Sequence, residues 1–242
     1  MTPFTAMKIE PDLAVERAKA YFVELGVDPQ MLEHLPISFE TPTRINNYYN
    51  RMLTVAGLGC RMIGLVTDNP LLAVVSLFLA VFVVRNVVFF SKRIQEMALY
   101  NVLTKKIHIS VMQPSTTRLT CLLIHEISHH LSQNRLFFHR NMFFIARGLE
   151  LDYLFRLEKI TTLDEAIQLL PLISKANYNP KYLALGFQNE EIAMTKSLKR
   201  GSFFGENYNH GMLVAGNLLS LRATHSPDSI ARYLQRLCQY FC

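Results

Sequence analysis

The chain has 242 residues, half of them apolar and 18% charged, with a formal net charge of +6 and a positive mean hydropathy of +0.15. That balance excludes a disordered chain, and ten Gly with ten Pro exclude collagen-like and low-complexity classes. Four irregularly spaced cysteines, Cys60, Cys121, Cys238 and Cys242, form neither a secreted disulfide framework nor a CxxC zinc pair.

The first residues, MTPFTAMKIEPDLAVERAKAYF, lack the cationic start and apolar core of a secretory signal. They predict an amphipathic helix with Asp12 as N-cap and Gly26 as its C-terminal stop, and Leu13, Val15, Ala18, Tyr21 and Phe22 on its apolar face. Apolar residues then concentrate between residues 52 and 90. Residues 71–90 carry Arg85 as their only charge and have the length of a membrane-crossing helix, with Lys92 and Arg93 as a cationic flank. Residues 52–66 form a shorter, Gly-bearing apolar arm with Arg61 in its middle. Thr67-Asp68-Asn69-Pro70 supplies the turn between the two arms. The expectation is a transmembrane helical hairpin with Arg44, Arg51, Lys92 and Arg93 at its open end.

Beyond Lys92 the pattern is mainly helical. Residues 105–111, KKIHISV, are the strand candidate, expected at a sheet edge where an extended peptide could pair with it. Pro114-Ser115-Thr116 opens a helix, with Ser115 or Thr116 as cap. A capping box at Thr162 and Glu165 starts another that Pro171 should end. Asn179-Pro180 opens a third, which Gly201 should stop.

Inside the helix after Pro114 lies His125-Glu126-Ile127-Ser128-His129, an HExxH. Four residues of helix turn about 400°, so both imidazoles project from one face, one turn apart. That spacing lets two ring nitrogens reach one Zn²⁺. Glu126 then faces the open side of the ion, where it can act as general base on zinc-bound water. Leu119, Leu122, Leu123 and Ile127 are available to bury the helix. A catalytic zinc wants a third protein ligand, and His139, Glu150, Asp152, Glu190, Glu191 and Glu206 are the downstream candidates. Spacing alone does not choose among them. His130 points about 100° away from the zinc face. His210, read as a loop residue, is a possible transition-state contact. Lys and Arg are scattered without aromatic interleaving, which argues against nucleic acid and suits anionic lipid headgroups.

Together, the apolar hairpin, the IHEISHHL helix, Glu190-Glu191-Ile192-Ala193, and Thr224-His225-Ser226-Pro227 with Arg232 and Leu234 resemble the membrane zinc metallopeptidases of the HtpX and CAAX prenyl protease type. The likeness covers roughly residues 52–237 and is carried by motifs. It implies a zincin-like metallopeptidase domain, mainly α with a small β edge element, after a transmembrane hairpin. It divides the chain into residues 1–51, 52–90 and 91–242. It makes Glu190 the third zinc ligand beside His125 and His129, with Glu150 and Glu191 as fallbacks, and marks His225 as a possible substrate contact. It implies an endopeptidase acting on unfolded or membrane-associated proteins, integral to the cell's inner membrane, with a cytoplasmic catalytic domain. Met194 departs from the pattern, standing where such enzymes carry an Asp that supports the ligands. That departure motivates the alternative of a catalytically silent, membrane-bound interaction module.

Overall fold

The computed structural model describes residues 9–88, 98–101, 104–110, 112–113, 115–131, 140–173, 179–188, 207–224 and 233, with backbone alone at 85–88, 140–144, 172–173, 207–210 and 224. The chain divides into two compact units, Met1–Ile9 with Pro36–Ser115, and Glu10–Leu35 with Thr116–Cys242. Two helices lead the second unit, α1 (Pro11–Glu24) and α2 (Pro29–Glu33). Helix α1 starts one residue before Asp12, because Pro11 has its φ preset and needs no backbone N–H partner in the first turn. Glu10 is the N-cap residue, and Asp12 lies within the first turn. The stop is as expected, with Gly26 at φ 84° just past the end, a conformation that glycine adopts without strain. Ala14, Ala18, Tyr21 and Phe22 form the buried stripe.

The first unit holds β1 (Ile37–Glu40), α3 (Pro42–Thr67), α4 (Pro70–Val88), β2 (Ala98–Asn101) and β3 (Lys106–Ser110). The strands form one sheet in the order β1-β3-β2. Strand β3 is therefore central and not the expected edge. It pairs parallel with β1, Ile37 opposite Ile107, and antiparallel with β2, Ala98 opposite Ile109. Both of its backbone edges are occupied, so it has none left for a substrate peptide.

Helices α3 and α4 make the expected hairpin. Asp68 sits in the left-handed region at φ 49°, Asn69 N–H donates to Gly64 O at 2.9 Å, and Asn69 Oδ1 accepts from Leu71 N–H at 3.0 Å. Gly64 allows the close approach beside this turn, where a Cβ would stand 3.1 Å from Leu72 Cβ. Against the expected transmembrane hairpin, among the described residues no helix is long and apolar enough to cross a membrane. Helix α3 has 26 residues, but its first half is polar and Arg44, Arg51 and Arg61 lie along it. What distinguishes α4 is exposure. Among its described side chains only Leu72, Ser76, Leu79 and Val83 are partly covered, a stripe at helical spacing. Leu71, Leu77, Phe78 and Val81 face outward, as do Leu58, Leu65 and Val66 of α3.

The second unit continues with α5 (Thr116–Leu131), α6 (Arg140–Leu157), α7 (Leu163–Ile173), α8 (Pro180–Gln188) and α9 (Asn207–Thr224). Helix α5 packs against α1 and α6, while α9 packs against α6 and α8. Leu151 and Phe155 of α6, Ala166 and Leu170 of α7, Leu183 of α8, and Met212, Ala215 and Leu219 of α9 form one core. Helix α7 begins at its capping box: Glu165 N–H donates to Thr162 Oγ1 at 3.3 Å, and Glu165 Oε2 accepts from the N–H groups of Thr161 and Thr162. Pro171 does not end α7 but lies in its last turn, where one missing N–H removes only one bond of the ladder. Asn179 Oδ1 caps α8 by accepting from Lys181 N–H at 3.1 Å. The expected stop at Gly201 lies outside the described residues.

Candidate metal centre

The HExxH lies in the C-terminal half of α5, whose residues from Leu119 to Ser128 are all buried. A helix covered on every side carries polar groups only where they have partners. Ser128 Oγ donates to Ile124 O at 2.6 Å, satisfying its hydroxyl within the helix. His125 and Glu126 are 6% and 7% exposed, and His129 is partly buried.

The two imidazoles meet edge to face, and His125 Nε2 stands 3.2 Å from His129 Nε2. Two nitrogens held at about 2.0–2.1 Å by one tetrahedral ion stand about 3.3 Å apart, so the separation matches that of two ligands on one Zn²⁺. Burial, and then the neighbouring His125, push the His129 imidazole down to about 3, against the pull of the Glu150 carboxylate. It is neutral at pH 7, the state a metal ligand needs. His130 follows on the same helix and is partly buried.

Helix α6 brings Glu150 to this pair. Its Oε1 lies 2.8 Å from His125 Nδ1, and its Oε2 lies 2.5 Å from Arg147 Nη1. Burial raises the Glu150 pKa, but His125, Arg147 and Arg118 outweigh it and hold the carboxyl below its ordinary range. The contact is with the Nδ1 side of His125, whereas the two histidines converge through Nε2. Glu150 is thus not placed as the third ligand. Asp152, two residues on, faces elsewhere. Its carboxylate takes Tyr21 Oη at 2.9 Å and Arg156 Nε at 2.9 Å, and pairs with Arg222 Nη2 at 3.1 Å. Both of its oxygens are engaged by guanidiniums. Cys121 is on the same helix as the histidines, but burial and the charge of Glu150 push its thiol up to about 12. At neutral pH the group is a thiol and not a nucleophilic thiolate.

Glu190, Glu191, Glu206, His139, His225 and Met194 lie outside the described residues. His210 is not a loop residue, since its backbone belongs to the first turn of α9. Among the described residues no three His, Cys, Asp or Glu side chains gather into a metal cluster. The HExxH spacing made the His125–His129 pair readable in the sequence. The Glu150–His125 contact was not, because it depends on how α6 crosses α5. Set against known protein families, curated proteins and solved structures, the chain matches none of them, so its likeness to the HtpX type rests on its motif residues alone.

Proposed function

We propose that the chain is a zinc-dependent endopeptidase. The observation that carries this reading is the buried helical pair His125 and His129, with nitrogens 3.2 Å apart and Glu126 between them in sequence. His125 and His129 hold Zn²⁺, with Glu190 as the third ligand. When bound, the ion polarises a peptide carbonyl and lowers the pKa of water. Glu126 takes the proton from the attacking water and passes it to the leaving amine. The substrates are unfolded or membrane-associated proteins.

The second partner is a lipid surface, contacted without being crossed. A helix that faces water normally keeps a polar side, and the described part of α4 has none. Exposed Leu71, Leu77, Phe78 and Val81 suit the acyl layer, and Arg44, Arg51 and Arg61 suit anionic headgroups. Flotation with vesicles of phosphatidylcholine and phosphatidylglycerol tests this. Wild type should rise with the vesicles, and the double variant L77E/V81E should not. Wild type left at the bottom of the gradient removes the lipid from the proposal.

The enzyme reading is tested by elemental analysis of purified wild type, H129A and E190A. Stoichiometric zinc in wild type, lost in both variants, supports the ligand set. Zinc lost in H129A but kept in E190A moves the third ligand elsewhere. No zinc in folded wild type favours the catalytically silent interaction module, which Met194 motivates.

A further inference from the structure

We propose that Glu150 is the positioning carboxylate of this site, holding His125 so that its Nε2 lone pair is free for the metal. The inference rests on the zinc reading above and adds a residue to it. An imidazole has one ring proton to place, and the partner at one nitrogen decides which nitrogen keeps it. Glu150 Oε1 lies 2.8 Å from His125 Nδ1, with both side chains nearly buried. A carboxylate there draws the proton to Nδ1 and leaves Nε2 as the donor to an ion.

The alternative tautomer is a specific hazard in this pair. With the proton on Nε2, His125 could donate it to His129 Nε2, 3.2 Å away. That bond would take up both Nε2 positions that the ion needs. Glu150 opposes it by stabilising the other tautomer.

The carboxylate is also fixed at its far end. Arg147 Nη1 lies 2.5 Å from Glu150 Oε2, so the group is held from both sides. Its helix cannot slide easily either. A Cβ on Gly148 would stand 2.4 Å from Val214 Cβ, which marks how tightly α6 meets α9. Asp152, two residues beyond Glu150, is clamped by Arg156 and Arg222. A positioning group needs this rigidity, because a loose carboxylate would not select one ring orientation. Its contact with Nδ1 also separates it from the ligands, since the two ring nitrogens point away from each other.

The test uses the full chain. Zinc affinity is measured by competition with a chromophoric chelator, and the site is read by the visible absorption of Co²⁺ in place of Zn²⁺. E150Q should weaken zinc binding about 10–100-fold and perturb the Co²⁺ band while keeping it tetrahedral. E150D, which retains the charge on a shorter stem, should recover part of the loss. Wild-type affinity and an unchanged band in E150Q overturn the proposal. Complete loss of the ion in E150Q, as in H129A, also overturns it, because Glu150 would then be a ligand. If wild type itself binds neither ion, the zinc reading fails, and the positioning role falls with it. A measurement on metal-free wild type needs no variant: the ¹⁵N spectrum of the His125 ring should show the Nδ1–H tautomer. An Nε2–H tautomer overturns the proposal even if E150Q does not fold.

Discussion

Tyr21 Oη donates to Asp152 Oδ2 at 2.9 Å, linking residues 131 positions apart in the sequence. The same hydroxyl lies 3.1 Å from Leu149 O. Asp152 is fully buried and also meets Arg156 of α6 and Arg222 of α9. One carboxylate therefore joins α1, α6 and α9. Burial, and then the negative charge of Asp152, hold the Tyr21 phenol well above its ordinary pKa, so it stays a donor.

The partners of Asp152 set an order of effects. D152N leaves Arg222 without its buried counter-charge and Arg156 with Glu24 alone, and should destabilise the fold by about 3–5 kcal/mol. Tyr21→Phe removes one bond to a charged group and should cost about 1.5–3 kcal/mol. Urea unfolding followed by circular dichroism measures both. Equal losses would mean that the tyrosine, rather than the ion pairs, holds the junction.

Helix α9 approaches α8 through glycine. A Cβ on Gly216 would stand 2.3 Å from Leu183 O and 2.9 Å from Phe187 N, both backbone atoms that cannot swing aside. Gly216→Ala should therefore destabilise by about 1–3 kcal/mol or more. Gly59 is the contrasting case, exposed within α3 with nothing within 4 Å of a built Cβ. Gly59→Ala should gain about 0.5–1 kcal/mol by helix propensity. Thermal unfolding of the two variants checks the signs. A neutral Gly216→Ala would mean that the helices separate at little cost.

What could be read in advance was local. The cap at Ser115 or Thr116, the box at Thr162 and Glu165, Asn179-Pro180 and the stop at Gly26 act within one or two turns, and each marks a helix end that the structure contains. The HExxH belongs to the same class, since a helix alone brings His125 to His129. The sheet was less legible. β1 and β2 have four residues each, too few for an alternation to register, and their partners in β3 come from elsewhere in the chain. For the same reason β3 was recognisable as a strand but not as a central one. The start of α3 at Pro42 was hidden because polar residues between Arg44 and Arg51 interrupt the apolar pattern. The hairpin's apolar character was plain, but composition could not say how much of it the structure would place in one helix.

His108, in β3, predicts an acid sensitivity in the first unit. Burial is the largest influence on its imidazole and lowers its pKa, with Lys106 and Arg44 adding to that effect and Glu40 opposing it. Glu40 Oε1 is 3.7 Å from Nδ1, and the Tyr48 ring packs on the imidazole at 4.6 Å. Below the ordinary histidine value of about 6.5, the unfolded chain takes up a proton that the folded chain resists. Stability therefore falls as pH drops through and below that value. His108→Phe, which keeps a ring against Tyr48, should lose less stability between pH 7.5 and 5.5 than wild type does. Urea midpoints at the two pH values measure the difference, and identical acid losses would show that His108 titrates alike in both states.

Glu126→Gln separates chemistry from metal binding. The amide has nearly the shape of the carboxylate, so α5 and the His125–His129 pair should be preserved, and zinc content should match wild type. An amide cannot accept the proton of the attacking water, however, and general base catalysis contributes about 10²–10⁴-fold. Hydrolysis of a fluorescein-labelled unfolded protein should fall by at least that range. His129→Ala should lose both zinc and activity. Chelation of wild type should abolish hydrolysis, and added Zn²⁺ should restore it there but not in Glu126→Gln. Full activity in Glu126→Gln with zinc bound would show that another group moves the proton, and the role assigned to Glu126 would have to be abandoned. Loss of zinc in this variant would instead place the carboxylate among the ligands, where the helical geometry of the motif does not put it.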